Sequence, residues 1–211
     1  MLTRQRLPQS RQSKTPRLPS RKMHRQKLLS LLYRYRTPFV MEAALARKII
    51  SFVENNPDCF KRESTYGHVT GSAWVVNPHR NKVVLLHHRK HDRWFQPGGH
   101  ADGDTDVMNV ALRETCEETG LPSNAVKLLN RDIFDVDIHF IPPGSRTPGH
   151  HHYDIRFLIE ADDRLALPGN DESYDIAWVP LHDVLSYNGS LSTYRMVEKT
   201  RRMLSSTLFR P

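Results

Sequence analysis

Apolar positions recur along this chain at two spacings, helical and alternating, and together they lay out most of its elements. Leu28, Leu29, Leu31, Leu32 and Tyr35 fall at helical spacing and predict a helix over residues 24–36. Pro38 interrupts it, and a second helix is predicted over 40–54, ending before Asn56-Pro57. The two helices form an expected N-terminal extension over residues 23–62. From residue 63 the pattern changes. Strands are predicted at 69–76 and 82–88, joined by the turn Asn77-Pro78-His79-Arg80-Asn81. Residues 94–105, with Pro97, Gly98, Gly99 and Gly103, read as loop. A helix over 106–119 is stopped by Gly120 and Pro122. Further strands are expected at 126–138, 153–160 and 175–179, with a long loop over 141–151, and helices at 181–186 and 191–204 close the pattern. Strands, one helix, more strands and a last helix imply an α+β fold with a mixed sheet.

Length and composition narrow this picture. At 211 residues the chain suits one packed domain with an extension. Apolar runs such as 73–76 and 83–86 are strand-sized, far from the ~20 residues that span a bilayer, so no membrane partner is expected. The net charge of +8 is unevenly placed: residues 1–36 carry 11 of the 31 Lys and Arg and none of the 23 acids. Residues 37–211 therefore hold 20 basic against 23 acidic residues, a net charge of −3. The basicity belongs to a tail. Residues 1–22, with Pro8, Pro16 and Pro19 among polar and basic residues, are expected to be a disordered basic tail. Such an arm can contact RNA, anionic lipid or a protein partner, or remain merely solvated. Arg- and Ser-rich and free of acids, it has the composition of a transit peptide but lacks a helical apolar stripe. Cys59 and Cys116 give no spaced framework for disulfides or zinc, which fits a reducing cytoplasm; Cys116 is expected to be a small core residue.

The chemistry concentrates in residues 98–121. On the predicted helix Glu114, Glu117 and Glu118 stand at i, i+3 and i+4, on one face. Like charges at these spacings oppose the helix by roughly 0.2–0.5 kcal/mol per pair, and a divalent cation bound by hard oxygen ligands offsets that. Arg113, four residues before Glu117, can orient a carboxylate. Gly98-Gly99 lets a backbone pass close to metal and substrate. A solvated acidic face is the bland alternative.

Gly99, position 105 and the run Arg113-Glu114-Thr115-Cys116-Glu117-Glu118-Thr119-Gly120-Leu121, entered by Trp94-Phe95-Gln96-Pro97-Gly98-Gly99, resemble the Nudix box. The resemblance covers roughly residues 70–185. It implies a Nudix fold, a mixed β-sheet sandwiched between α-helices. It also implies a pyrophosphohydrolase that cleaves a phosphoanhydride bond in a nucleoside diphosphate-linked or nucleotide-like substrate. By carry-over Glu114, Glu117, Glu118 and the Gly98 carbonyl would hold Mg²⁺ or Mn²⁺, Glu117 and Glu118 would serve catalysis, and Arg113 would brace the glutamates. The resemblance departs at Thr105, where the family has a glutamate; Thr105 or Asp104 can cap the helix, and Asp102 and Asp104 are near enough to replace the carboxylate.

Other residues are candidates on their own chemistry. Glu172, in Asn170-Asp171-Glu172-Ser173, is a candidate general base. Arg89, Lys90 and Arg93 can clamp phosphates, with solvated loop charges as the alternative. His152, Asp154 and Arg156 alternate onto one strand face, where His152 can contact substrate phosphate or a metal; His150-His151-His152 lacks the ligand spacing of a zinc site. Trp94 and Phe95 read as core. Rival functions are an RNA 5′-end pyrophosphohydrolase served by the basic arm, an inactive Nudix-like regulator that binds nucleotide or nucleic acid, and an isomerase on the same scaffold. The substrate and the oligomeric state stay open, with a dimer admissible.

Overall fold

The computed structural model describes residues 24–64, 66–144 and 147–208; the expectation for residues 1–22 lies outside them. Two helices come first, α1 (Gln26–Arg34) and α2 (Val40–Asn55). They are followed by strands β1 (Gly67–Val76), β2 (Lys82–His88), β3 (Arg93–Phe95) and β4 (Gly98–His100), then helix α3 (Val107–Thr119). Strands β5 (Val126–Leu128), β6 (Asp135–Ile141), β7 (His150–Ala161) and β8 (Ser173–Pro180) and helices α4 (Val184–Tyr187) and α5 (Leu191–Leu208) complete the chain.

The strands make one mixed sheet of eight. Its centre is the parallel pair β1–β7, in register from Gly67 opposite His151 to Val76 opposite Glu160. The other pairings are antiparallel. The second edge of β1 takes β4 along residues 70–72 and meets β2 at Val76 opposite Val83. The second edge of β7 takes β6 and then β5, and β2 lies between β8 and β3.

Because side chains alternate along a strand, each face of the sheet gathers its own helices. Val69, Ala73 and Val75 of β1 and Ile155, Phe157 and Ile159 of β7 share a core with Leu28 and Leu32 of α1, Ile49, Phe52 and Val53 of α2, and Val107, Val110 and Ala111 of α3. On the opposite face Trp74, Val76, Val83, Leu85 and Leu158 pack with Val184 of α4 and Met196 and Val197 of α5. The two helical layers therefore sandwich the sheet, as the α+β reading expected. Residues 24–60 belong to the first layer, since Leu28, Leu32, Ile49 and Phe60 are buried in the same core as the strands.

Several local expectations are corrected. The 94–105 loop contains β3 and β4, whose three-residue lengths carry no alternation to read; pairing to the edges of β2 and β1 defines them. The strand expected over 126–138 is split, because the polar stretch Asn130-Arg131-Asp132 leaves the ladder between Leu129 N–H, which donates to Leu158 O, and Phe134 N–H, which donates to Arg156 O. Strand β7 is longer than its apolar core, extended through His150–His152 by the ladders with β1 and β6. Helix α3 begins at Val107 with Asp106 at its N-cap and no side-chain cap, so Thr105 does not cap it; Asp104 instead accepts the Asp106 N–H at 2.8 Å. Cys116 is not a core residue. It is partly exposed, because the inward face of α3 carries Thr115, Glu118 and Thr119.

A buried polar network ties α2 to the sheet and α5. Arg195 donates to both oxygens of Asp135 at 2.7 and 2.8 Å, Lys199 Nζ lies 2.7 Å from Asp135 and also bonds Glu42, and Arg156 reaches Asp135 at 3.2 Å and Asp154 at 2.7 Å. Thr70 and Ser72 donate to Asp154 at 2.9 and 2.7 Å, so the network ends beside β4.

Candidate functional site

The site is assembled where β4 crosses beneath α3. Pairing with β1 fixes β4, with Gly99 opposite Gly71 and Gly98 opposite Ser72. A Cβ on Gly99 would lie 2.4 Å from the Glu114 carboxylate carbon, so a larger residue here would push the Glu114 carboxylate out of its place over the strand. Helix α3 ends on Gly120, whose φ of 73° is left-handed.

The three box glutamates differ in setting. Glu118 is buried, 6% exposed, and accepts the Gly98 N–H at 2.7 Å. Glu114 is half-buried and Glu117 exposed. Arg113 Nη1 lies 2.9 Å from Glu114 and 3.0 Å from Glu117, and its Nη2 donates to His100 O at 3.3 Å, so the arginine joins helix to strand. Among the described residues no ion pair reaches Glu118. Burial pushes its carboxyl up to about 8 against the hydrogen bond from Gly98, and Glu114, Glu172 and Glu117 add to the rise. Burial also raises Glu114, opposed by Arg113 and reinforced by Glu117 and Glu172. A buried carboxylate without a cationic partner, beside two more acids, fits an oxygen-ligated divalent cation.

The other candidates are distributed unevenly. Glu172 is exposed on the loop before β8, close enough for its charge to act on Glu114 and Glu118. Arg89 is committed to that loop: its backbone N–H donates to Glu172 O, its Nε to Ser173 O at 2.9 Å, and its guanidinium lies 5.1 Å over the Tyr174 ring. Lys90 and Arg93 are exposed. His152 lies among the imidazoles of His68, His100 and His150. Asp102 is held by Arg62 through both oxygens and Asp106 by Lys27, whereas Asp104 accepts the Asp106 N–H through one oxygen and is otherwise exposed. Trp94 is partly buried and stacks on His87 with centroids 5.2 Å apart. The antiparallel pairing of His88 with Ser173 brings His88 within reach of the Glu172 charge, a proximity no sequence spacing could show.

Glu118 gives a pH-dependent expectation. Its folded pKa of about 8 stands above the ordinary 4.5, so the fold favours the protonated acid. Keeping the carboxylate ionised costs stability from pH 4.5 upward, and the cost levels off near pH 8. In chelator, Glu118→Gln is therefore expected to raise the melting temperature by an amount that grows between pH 5 and pH 8. Equal melting of variant and parent across that range would show that Glu118 is hydrated.

A NUDIX domain model matches residues 67–200. The chain belongs to the Nudix family. It is 31% identical over 108 residues to a Mycobacterium tuberculosis (strain CDC 1551 / Oshkosh) protein carrying a MutT4 mutator name, covering 50% of this chain and 40% of that one. It is 30% identical over 126 residues to the uncharacterized Nudix hydrolase NudL of Yersinia pestis (strain Pestoides F), covering 58% of this chain and 56% of the other. The chain thus spans about half the length of the curated relatives it matches. In fold it is similar to the C. elegans Ap4A hydrolase binary complex, with TM-score 0.54 and 16% identity over 65% of this chain and 98% of the other.

Proposed function

We propose that the chain is a hydrolase dependent on Mg²⁺ or Mn²⁺ that cleaves a phosphoanhydride bond in a nucleoside diphosphate-linked or nucleotide-like substrate, acting in the cytoplasm. The observation that carries this reading is the buried Glu118 carboxylate, lacking a cationic partner among the described residues and grouped with Glu114 and Glu117 on α3 above the Gly98-Gly99 crossing. Glu114, Glu117, Glu118 and the Gly98 carbonyl would hold the ion. When bound, it neutralises diphosphate charge and makes a coordinated water more acidic.

The protein's own groups supply positioning. Arg113, joined to Glu114, Glu117 and His100 O, keeps two carboxylates at a fixed distance from β4. Glu172 would be the acid that takes a proton from the attacking water; its charge reaches Glu114 and Glu118. Lys90 and Arg93, exposed beside β3, are available to phosphate oxygens. Arg89, which holds the Glu172 loop through its backbone N–H and Nε, would join them with the rest of its guanidinium.

A screen of nucleoside di- and triphosphates, nucleotide sugars, dinucleotides including Ap4A, and capped RNA tests the proposal. Capped RNA is included because residues 1–36 carry 11 basic residues and no acid. Turnover is expected with Mg²⁺ or Mn²⁺ and is expected to vanish in chelator. Undiminished turnover in chelator would sink the reading.

A further inference from the structure

On the other side of β4 from Glu114 lies a second cluster with different chemistry. Gly99 meets Glu114, whereas Gly98 and His100, its neighbours, alternate toward the face of Ser72 and Thr70. On that face His68 stands opposite His152 across the parallel ladder. Ring centroids are 4.8 Å apart for His68–His152, 4.9 Å for His68–His100 and 5.0 Å for His100–His152. One ligand nitrogen from each ring lies within 4.8 Å of the others, the only such triple of His, Cys, Asp or Glu among the described residues.

We propose that His68, His100 and His152 form a site for one Zn²⁺-class transition-metal ion, separate from the carboxylate site and flanked by His150. The donor set decides the class. Three imidazoles suit zinc, cobalt, nickel or copper, while Mg²⁺ takes oxygen ligands.

Two observations beyond proximity point to a ligand. His68 is 2% exposed, and neither of its ring nitrogens has a hydrogen-bond partner among the described residues. An imidazole carries one donor and one acceptor, and leaving both unmet in the interior is costly unless something else engages the ring. The second observation is the orientation of His150. Its Nδ1 lies 2.8 Å from Pro148 O, and a carbonyl only accepts, so Nδ1 carries a proton and the ring is turned with Nε2 toward the cluster. That Nε2 is 3.3 Å from Nε2 of His152.

The ion would join β1, β4 and β7. His100 also gives its carbonyl to Arg113, the residue spanning Glu114 and Glu117. A metal on one side of β4 therefore stiffens the strand over which the carboxylate site is built.

The test titrates the full chain, stripped by chelator, with Zn²⁺ in excess Mg²⁺, reading stoichiometry by calorimetry and stabilisation by thermal melting. One equivalent of Zn²⁺ is expected to bind and raise the melting temperature. His100→Gln and His68→Gln, each checked for folding by circular dichroism, are expected to weaken Zn²⁺ binding by a factor on the order of 100. Glu117→Gln and Glu118→Gln are expected to keep it. His100 is partly exposed, so its variant answers the question if the buried His68 variant fails to fold. Absence of Zn²⁺ binding, unchanged binding in His100→Gln, or its loss in the glutamate variants would overturn the assignment.

Discussion

Glu117→Gln is expected to lower turnover by roughly 10²-fold or more at saturating Mg²⁺, on whichever substrate the screen finds, because a bound ion carries much of the transition-state charge stabilisation. The substitution keeps side-chain size and removes one charge from a residue whose carboxylate is about half exposed, 54%. Little core packing is lost, and relief from Glu114 and Glu118 should leave the metal-free melting temperature equal or higher. The ion pair to Arg113 is also lost, at a cost limited by its exposure. Turnover falling while stability holds separates a ligand from a structural acid. Near-normal turnover would mean that Glu117 is solvated and that Glu114 and Glu118 act without it.

Asp135→Asn is expected to have the largest effect on stability, about 3–5 kcal/mol, the range for removing one partner from a buried charge network. Asp135 is fully buried and receives Arg195, Arg156 and Lys199. Asparagine keeps the shape but leaves the three cations with less negative charge. Urea unfolding of variant and parent at pH 7 measures the difference. The pH dependence gives a second readout. Burial alone would raise the Asp135 carboxyl, but the hydrogen bonds from Arg195 and the charges of Arg156 and Lys199 outweigh it and hold it at about 2, below the ordinary 3.8. The stabilisation is therefore present above pH 3.8 and is lost as pH falls toward 2. The variant should lack that acid-side loss. A difference below about 1 kcal/mol at pH 7 would mean that the network relaxes around the change.

The readable parts of the sequence were those with local periodicity. Both N-terminal helices, β1, β2 and α3 follow from apolar spacing and the Pro38 and Gly120 punctuation, and the glutamate trio follows from α3 alone. What was hidden depends on partners far along the chain. Strand β4 exists because three residues pair with β1, and His68, His100 and His152 meet only through that pairing and the β1–β7 register. His150-His151-His152 looked like a polar loop entering a strand, because zinc-ligand spacing is defined within a segment and these ligands come from three. Likewise Glu118 reads as exposed on a helical wheel; it is buried because β4 lies against that part of α3.

The parallel pairing of β1 with β7 also has a kinetic consequence. Thr70 and Asp154, joined across that ladder, are separated by 84 residues, so closing the pair costs chain entropy that no local turn can reduce. High contact order of this kind slows folding. During synthesis, β1 must wait until the ribosome has passed residue 161 before its main partner is complete. Until then the apolar faces of α1 and α2 have only part of the sheet to cover them. During this interval the uncovered apolar surface favours misassembly.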